Sequence, residues 1–500
     1  MKAWHHFLLA LIPWMVFHPV PLMAQAKLKI EFLDDETSKP IAGRIELQQT
    51  KKFFKPKGAL SVGKLILVEG ETQWAPPLGT HLFKLERGPE HDVLDGEFTI
   101  EKFAEDSKQV RLKHRTPLRQ EGWHSGDLLS TLPADTLQRW QRGEDLDVSV
   151  STSDAKAATP LPKNIESKVW SEPTSLFTTD ASSYWDRRAG SGLVFHHCDQ
   201  AIVPNADEPS SKLLVDAKKQ ASTIAEIQSL WARDVPIWLA SQRIDLVQVF
   251  SQHLLPNDPS SVTHFRNPDS NRFQGKKGLG RLVEHIYWQM LEAGFRIAPS
   301  AGSGFGDPKL PTHLGYNRVY VHLDPPATSD DWWKQLVQGR SFVTNGPLLR
   351  SRIFGNYPGE VFQATAGQSL DLVIDLQLSV RNRVEYLDVI HNGQTIYQAR
   401  LEDHAARGDF PPLKIDRSGW LVIRVVTEHE ESYRLAMSSP YYFEFNGQPR
   451  ISRKAVRFFQ EWLEESANEI DKLPNALAHQ PYVDAARRFW SKRLEQATDD

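Results

Sequence analysis

Between residues 120 and 345, strand-like and helix-like stretches alternate, and this constrains the fold more than any other feature of the chain. Leu137 and Trp140 suit one face of a short helix that Gly143 can end, and Asp147–Thr152 then alternates like a strand. Gly192–Cys198 reads as a strand. Leu213, Leu214, Ala217, Ala221, Ile224, Ile227 and Trp231 fall at the spacing of one long amphipathic helix. Ile237–Ala240 and Ile244–Phe250 read as strands, and Leu279 to Leu291 as a helix stopped by Gly294. A strand at Arg296–Pro299 opens into a loop carrying Gly302, Ser303, Gly304 and Gly306. After it come a strand at Arg318–Leu323, a helix at Ser329–Gly339 and a strand at Ser341–Thr344. Such alternation predicts an α/β unit with parallel strands over 119–346, whose chemistry gathers where strands give way to loops. Residues 153–190, rich in Ser, Thr, Pro and Ala, read as an irregular insertion in it.

The flanks have a different period. Leu28–Phe32 and Ile41–Leu47 alternate with period two, and Phe98–Ile100 and Gln109–Leu112 add shorter strands, so 27–118 reads as a small antiparallel β-domain. Beyond Pro347, Leu370–Leu378, Val384–His391, an Asn392-Gly393 turn, Thr395–Arg400, Trp420–Thr427 and Tyr441–Phe445 predict a β-sandwich over 347–450. Residues 451–500 read as helices, with Ala455, Phe458, Phe459, Trp462 and Leu463 on one face and Ala485, Phe489, Trp490 and Leu494 on another.

Met1–Ala26 has the layout of a secretory signal: Lys2, an apolar Phe7–Phe17 core too short to span a bilayer, and Ala24-Gln25-Ala26 as cleavage site. The expected mature chain is exported, periplasmic or extracellular, with no membrane span. Its removal takes only Lys2 among charged residues, moving the net charge from −4 to −5, which argues against a nucleic-acid partner. Cys198 is the only cysteine, so stability must come from burial spread over about two to four domains.

The segment Gly126-Asp127-Leu128 and the blocks RIAPSAGSGFG, LGYNRVYVHLD, GRSFVTNGPLL and SSPYYFEFNGQP resemble the CehA/McbA-type metallohydrolases of the polymerase-and-histidinol-phosphatase (PHP) superfamily. The resemblance covers roughly residues 120–465. It implies a multidomain α/β plus β chain: a PHP-like distorted (β/α)7 barrel flanked by an N-terminal β-domain and a C-terminal β-sandwich with terminal helices. It also implies hydrolysis assisted by divalent metals, which neutral imidazoles and carboxylates converge to hold. This chain departs from that pattern. Leu129-Ser130-Thr131 stands where the first His-x-His belongs, Ala301-Gly302-Ser303 stands at the late Asp-x-His, and neither motif occurs anywhere.

The polar groups left near strand ends are His124, Asp127, His196, His197, Asp199 and His253. Asp127, His196, His197 and His253 are the expected ligands if one Zn or Mn ion binds, although the missing motifs favour no metal cofactor at all. Asp127, His253 and Arg318 are the candidate catalytic groups, Arg318 as a bidentate hold on an anionic group. Gly302, Ser303, Gly304 and Asn317 would line the pocket loop. Two readings follow: a divergent exported hydrolase homologue with its metal-dependent activity lost or altered, or a non-catalytic protein that binds a small molecule, a carbohydrate or another cell-surface polymer.

Overall fold

The computed structural model describes residues 27–498 except 103–104, 154–177, 189, 255–272, 274, 309–311, 409 and 431. The signal-like segment and most of the 153–190 stretch therefore lie outside the described residues. The chain is mixed α/β with several sheets, in keeping with a β-rich multidomain protein. No helix among the described residues is long and apolar enough to cross a membrane.

Two sheets face each other in the N-terminal domain. Lys27–Asp34 buries Leu28, Ile30 and Phe32 at alternate positions, as its period requires. It lies between Glu71–Trp74 and Glu105–Leu112. Its pairing with Glu105–Leu112 is parallel, so the expected all-antiparallel domain is corrected there. Ala42–Gln49 centres the second sheet, and Phe32, Leu47, Val68, Leu85 and Leu112 meet in the core between the two.

Among the described residues, seven strands form the α/β unit in spatial order: Trp123–Ser130, Val148–Ser153, Thr178–Asp186, Leu193–His196, Ile224–Ile227, Leu246–Phe250 and Ala298–Ala301. The fourth is antiparallel to both neighbours, and the other adjacent pairs are parallel. The set curls back on itself. Beyond Ala301, the Gly302 amide donates to the Phe250 carbonyl and the Gly304 amide to the Leu129 carbonyl, both at 2.8 Å, while Ser130 bridges Phe305. Leu128, Val150, Phe195, Ile227, Val247 and Val249 share a core with the helices Ser210–Ala217, Val235–Ala240 and Gly278–Glu292. Strand alternation puts Asp127, His196, Glu226 and Gln248 on the opposite face.

Several expectations are revised here. Thr178–Asp186 is not irregular insertion but the third strand, joined to neighbours on both edges. The long helix over 213–231 is instead the helix Ser210–Ala217 followed by the strand Ile224–Ile227, because Ile224-Ala-Glu-Ile also fits period two and finds strand partners on both sides. Ile237–Ala240 belongs to a helix, with Pro236 fixing φ in its first turn. Gly143 does not end its helix. It sits inside Ala134–Glu144, where a Cβ would come within 2.5 Å of Leu67 Cδ1, and the chain turns at Asp145 with φ 55°.

The unit boundary near 346 is not a boundary in the hydrogen bonding. The first strand also pairs antiparallel with Arg318–His322, which pairs with Ser341–Thr344, which pairs with Arg434–Ser438 of the C-terminal β-region. That region has its own core of Leu349, Ile353, Leu387, Val389, Leu421, Ile423 and Phe443. Leu370–Leu378 divides into two strands, Leu370–Asp371 and Ile374–Ser379, with different partners. The terminal helices Arg453–Ile470 and Ala476–Glu495 return to the α/β unit. Trp462 and Trp490 lie in its core, and the Trp490 indole N–H donates to the Pro236 carbonyl at 3.0 Å.

Candidate functional site

The glycine loop after Ala301 closes the curl. A Cβ at Gly302 would fall 2.6 Å from both Gln248 Nε2 and Leu129 Cβ, so only glycine lets the backbone pass there. Ser303 and Asn317 are fully buried. The Asn317 amide N–H donates to Ser303 Oγ at 3.0 Å, and its side-chain NH2 donates to the carbonyls of Gly302 (3.0 Å) and Ser251 (3.1 Å). Gly302, Ser303, Gly304 and Asn317 thus stitch backbone together rather than line an open pocket.

Asp127 anchors the same closure. Oδ1 accepts the Ser303 amide at 2.9 Å and the Leu129 amide at 3.2 Å, and Oδ2 accepts the Gly315 amide at 2.7 Å. Burial pushes its carboxyl up to about 6, against the pull of those donors. With the folded value above the ordinary carboxylate value, folding favours the protonated form. Asp127 then adds stability below about pH 4, and that contribution is lost as pH rises through about 6. The stability difference between wild type and Asp127→Asn, from urea midpoints, should therefore be larger at pH 4 than at pH 7. A difference that grows with pH would refute this account of the group.

The other nominated residues lie apart. His253 is buried edge-on against Trp231, with Nε2 2.9 Å from the Val249 carbonyl. His196 has no exposed surface; Nε2 is 3.0 Å from Glu226 Oε2 and Nδ1 is 3.1 Å from Ser183 Oγ. His197 adopts φ 55° and faces Asp180 (3.7 Å) and Asp330 (3.5 Å); donating a hydrogen bond to the Asp180 carboxylate raises its pKa. Arg318 is buried at the N-terminal domain junction, where Nε donates to the Gly315 carbonyl and Nη2 to the Glu144 carbonyl, both at 2.8 Å. It is a cross-link there, beside the buried Arg44–Glu144 pair. Among the described residues, the donor atoms of Asp127, His196, His197 and His253 make no group of three close enough to hold one metal ion.

Sequence reading missed the residues that do converge. Glu226 accepts from Gln248 Nε2 at 3.0 Å and from Ser300 Oγ, besides its contact with His196. Gln248 Oε1 accepts from Ser251 Oγ at 2.7 Å. Ser183, His196, Glu226, Gln248, Ser251 and Ser300 all have no exposed surface. The string Ser183–His196–Glu226 has the composition of a nucleophile–base–acid relay, but its serine cannot meet a substrate in this arrangement. A legible signal existed: Glu226 and Gln248 are single polar residues at alternate positions in otherwise apolar strands.

A more open feature lies where the α/β unit meets the C-terminal β-region. Two adjoining cavities of about 490 and 430 Å³ share Tyr357. The Tyr357 ring stacks on His322 at 3.8 Å and has the Arg340 and Arg352 guanidiniums 4.6 and 4.4 Å from its centroid. Arg350 lines the second cavity; Nη2 donates to Ser379 Oγ at 3.2 Å, Nε is 3.3 Å from Glu121 Oε2, and Nη1 makes no hydrogen bond. Arg340 and Arg352 flank the phenol and Arg350 lines the second cavity, so guanidinium donors face the groove beside the carboxylates of Glu121, Asp324, Glu360 and Asp375, with Gln335, Gln338, Asn356 and Gln377 as neutral donors. No family model, curated protein or solved structure matches this chain.

Proposed function

We propose that this chain is a divergent PHP-like homologue, of the CehA/McbA type, that works as an exported, non-catalytic binding protein for an acidic cell-surface polymer such as a uronate-bearing polysaccharide. The carrying observation is the fate of the strand ends where the resemblance puts the metals. Asp127 is spent on three backbone amides, and His196 and Glu226 are spent on each other and on buried partners. The donor set present there does not fit a metal centre of the family's kind.

The Arg340–Arg350–Arg352 groove supports the binding half of the reading. Neither face of Tyr357 is a bare platform for a neutral sugar, because His322 and two guanidiniums occupy them. Recognition through charge and hydrogen bonding suits carboxylate or phosphate groups along a polymer. Export rests on the signal-like Met1–Ala26 segment.

Affinity electrophoresis through gels containing alginate, or a neutral glucan, tests this. Wild type should be retarded by alginate and not by glucan, and the double variant Arg350→Gln/Arg352→Gln should migrate at least tenfold less retarded. Equal mobility of wild type and variant in alginate would sink the groove. Turnover of p-nitrophenyl phosphate that depends on added Zn or Mn and disappears in His196→Ala would instead restore the hydrolase reading.

A further inference from the structure

We propose that His91, His114 and Asp145 form a binding site for one divalent transition-metal ion of the zinc class, tying the N-terminal β-domain to the α/β unit. The site is separate from the curl's closure. Asp145 caps the helix Ala134–Glu144 just before the second strand begins, whereas His253 and Ser303 follow the ends of the sixth and seventh strands.

The two histidines come from adjacent β-segments of the N-terminal domain, which bridge each other and stack their rings at 4.3 Å with planes 6° apart. Asp145 comes from the other unit. Its Oδ1 accepts Arg87 Nη2 at 2.8 Å and Arg119 Nη1 at 2.9 Å, which fixes the carboxylate and leaves Oδ2 towards His91. His91 Nδ1 stands 3.9 Å from that oxygen and makes no hydrogen bond, although the residue is only 3% exposed. A buried ring nitrogen with no hydrogen-bond partner, aimed at a carboxylate, is a ligand position more than a packing choice. His114 completes the set, with one donor atom from each of the three residues within 4.8 Å of the others.

Zinc binds imidazole nitrogen and carboxylate oxygen at about 2.0–2.2 Å, which places neighbouring donors roughly 3.4 Å apart. Closing on an ion therefore asks the three groups to contract by about an ångström, and asks the stacked rings to tilt so that both lone pairs meet. Glu90 Oε2, 3.4 Å from His114 Nε2, stands as an acceptor that can orient the His114 ring. Arg87 and Arg119 are paired with Asp145 and Asp147, Glu90 stands beside His114, and Arg381 donates to the Gly88 and His91 carbonyls, so guanidiniums and carboxylates balance around the site before an ion binds. Two imidazoles select zinc-like ions over magnesium or calcium, which prefer oxygen.

The test uses the full mature chain, stripped with EDTA and titrated with ZnCl2 against a chromophoric chelator, with bound zinc counted after gel filtration. One zinc per chain and a raised thermal midpoint are expected. His91→Phe keeps the ring stack and His114→Gln changes a half-buried side chain. Each should bind zinc at least tenfold more weakly while melting like metal-free wild type. If His91→Phe does not fold, His114→Gln decides alone. No zinc uptake by wild type, or uptake unchanged in a folded variant, overturns the proposal. Alginate retardation by the zinc-free protein is read separately, so either reading can fail without the other.

Discussion

Glu226→Ala is expected to lower the unfolding free energy by roughly 3–5 kcal/mol, because it strips the shared acceptor from His196, Gln248 and Ser300 at a point with no water access. Each buried donor left without a partner costs about 1–3 kcal/mol, and three such losses exceed what relaxation recovers. Glu226→Gln keeps one acceptor oxygen and should cost less than half as much. Urea denaturation of the three proteins gives the ordering directly. A loss below about 1 kcal/mol in Glu226→Ala would mean that water already reaches this network. The strand ends would then be a wet pocket, and the case against a working site there would fall with it.

Trp490→Ala should cost about 3–5 kcal/mol, a value reserved for large aromatics in packed cores. Its ring stacks on Phe459 at 4.9 Å, meets Phe295 edge-on at 5.7 Å, and its N–H is held by the Pro236 carbonyl. The indole is therefore a rivet between the terminal helices, the helix Val235–Ala240 and Phe295, just beyond the helix Gly278–Glu292. The loss should appear in the unfolding of the α/β unit itself, monitored by far-ultraviolet circular dichroism. If instead the terminal helices melted alone and left the rest unchanged, they would be an appended module.

That Trp490 belongs to the α/β core was not legible from sequence. Its amphipathic spacing marks a helix with one apolar face, yet nothing local says which surface that face covers. The same limit explains the 213–231 stretch. Its apolar positions satisfy a 3.6-residue period, and only the edges offered by the fourth and sixth strands make Ile224–Ile227 a strand. Gly143 shows a third kind of miss. Its glycine looked like a stop signal, but it is kept small by Leu67 from another domain.

The candidate site divides the same way. The absence of His-x-His and Asp-x-His was plain in the sequence, as was a carboxylate at Asp127 just before the place of the first motif. The burial of Asp127 under three amides was not, nor were the roles of Glu226, Gln248 and Ser300, since their partners lie on other strands.

Local periodicity by itself determined that this chain has β-rich flanks, an α/β centre and helical ends, because each backbone state repeats its buried face at its own period. Tertiary structure alone decided that the sheet runs on from the centre into the C-terminal region, that the last helices fold back onto the centre, and that the polar side chains at the strand ends satisfy one another. Those outcomes depend on pairings between residues far apart in the chain. Burial and hydrogen bonding are settled only when both partners arrive.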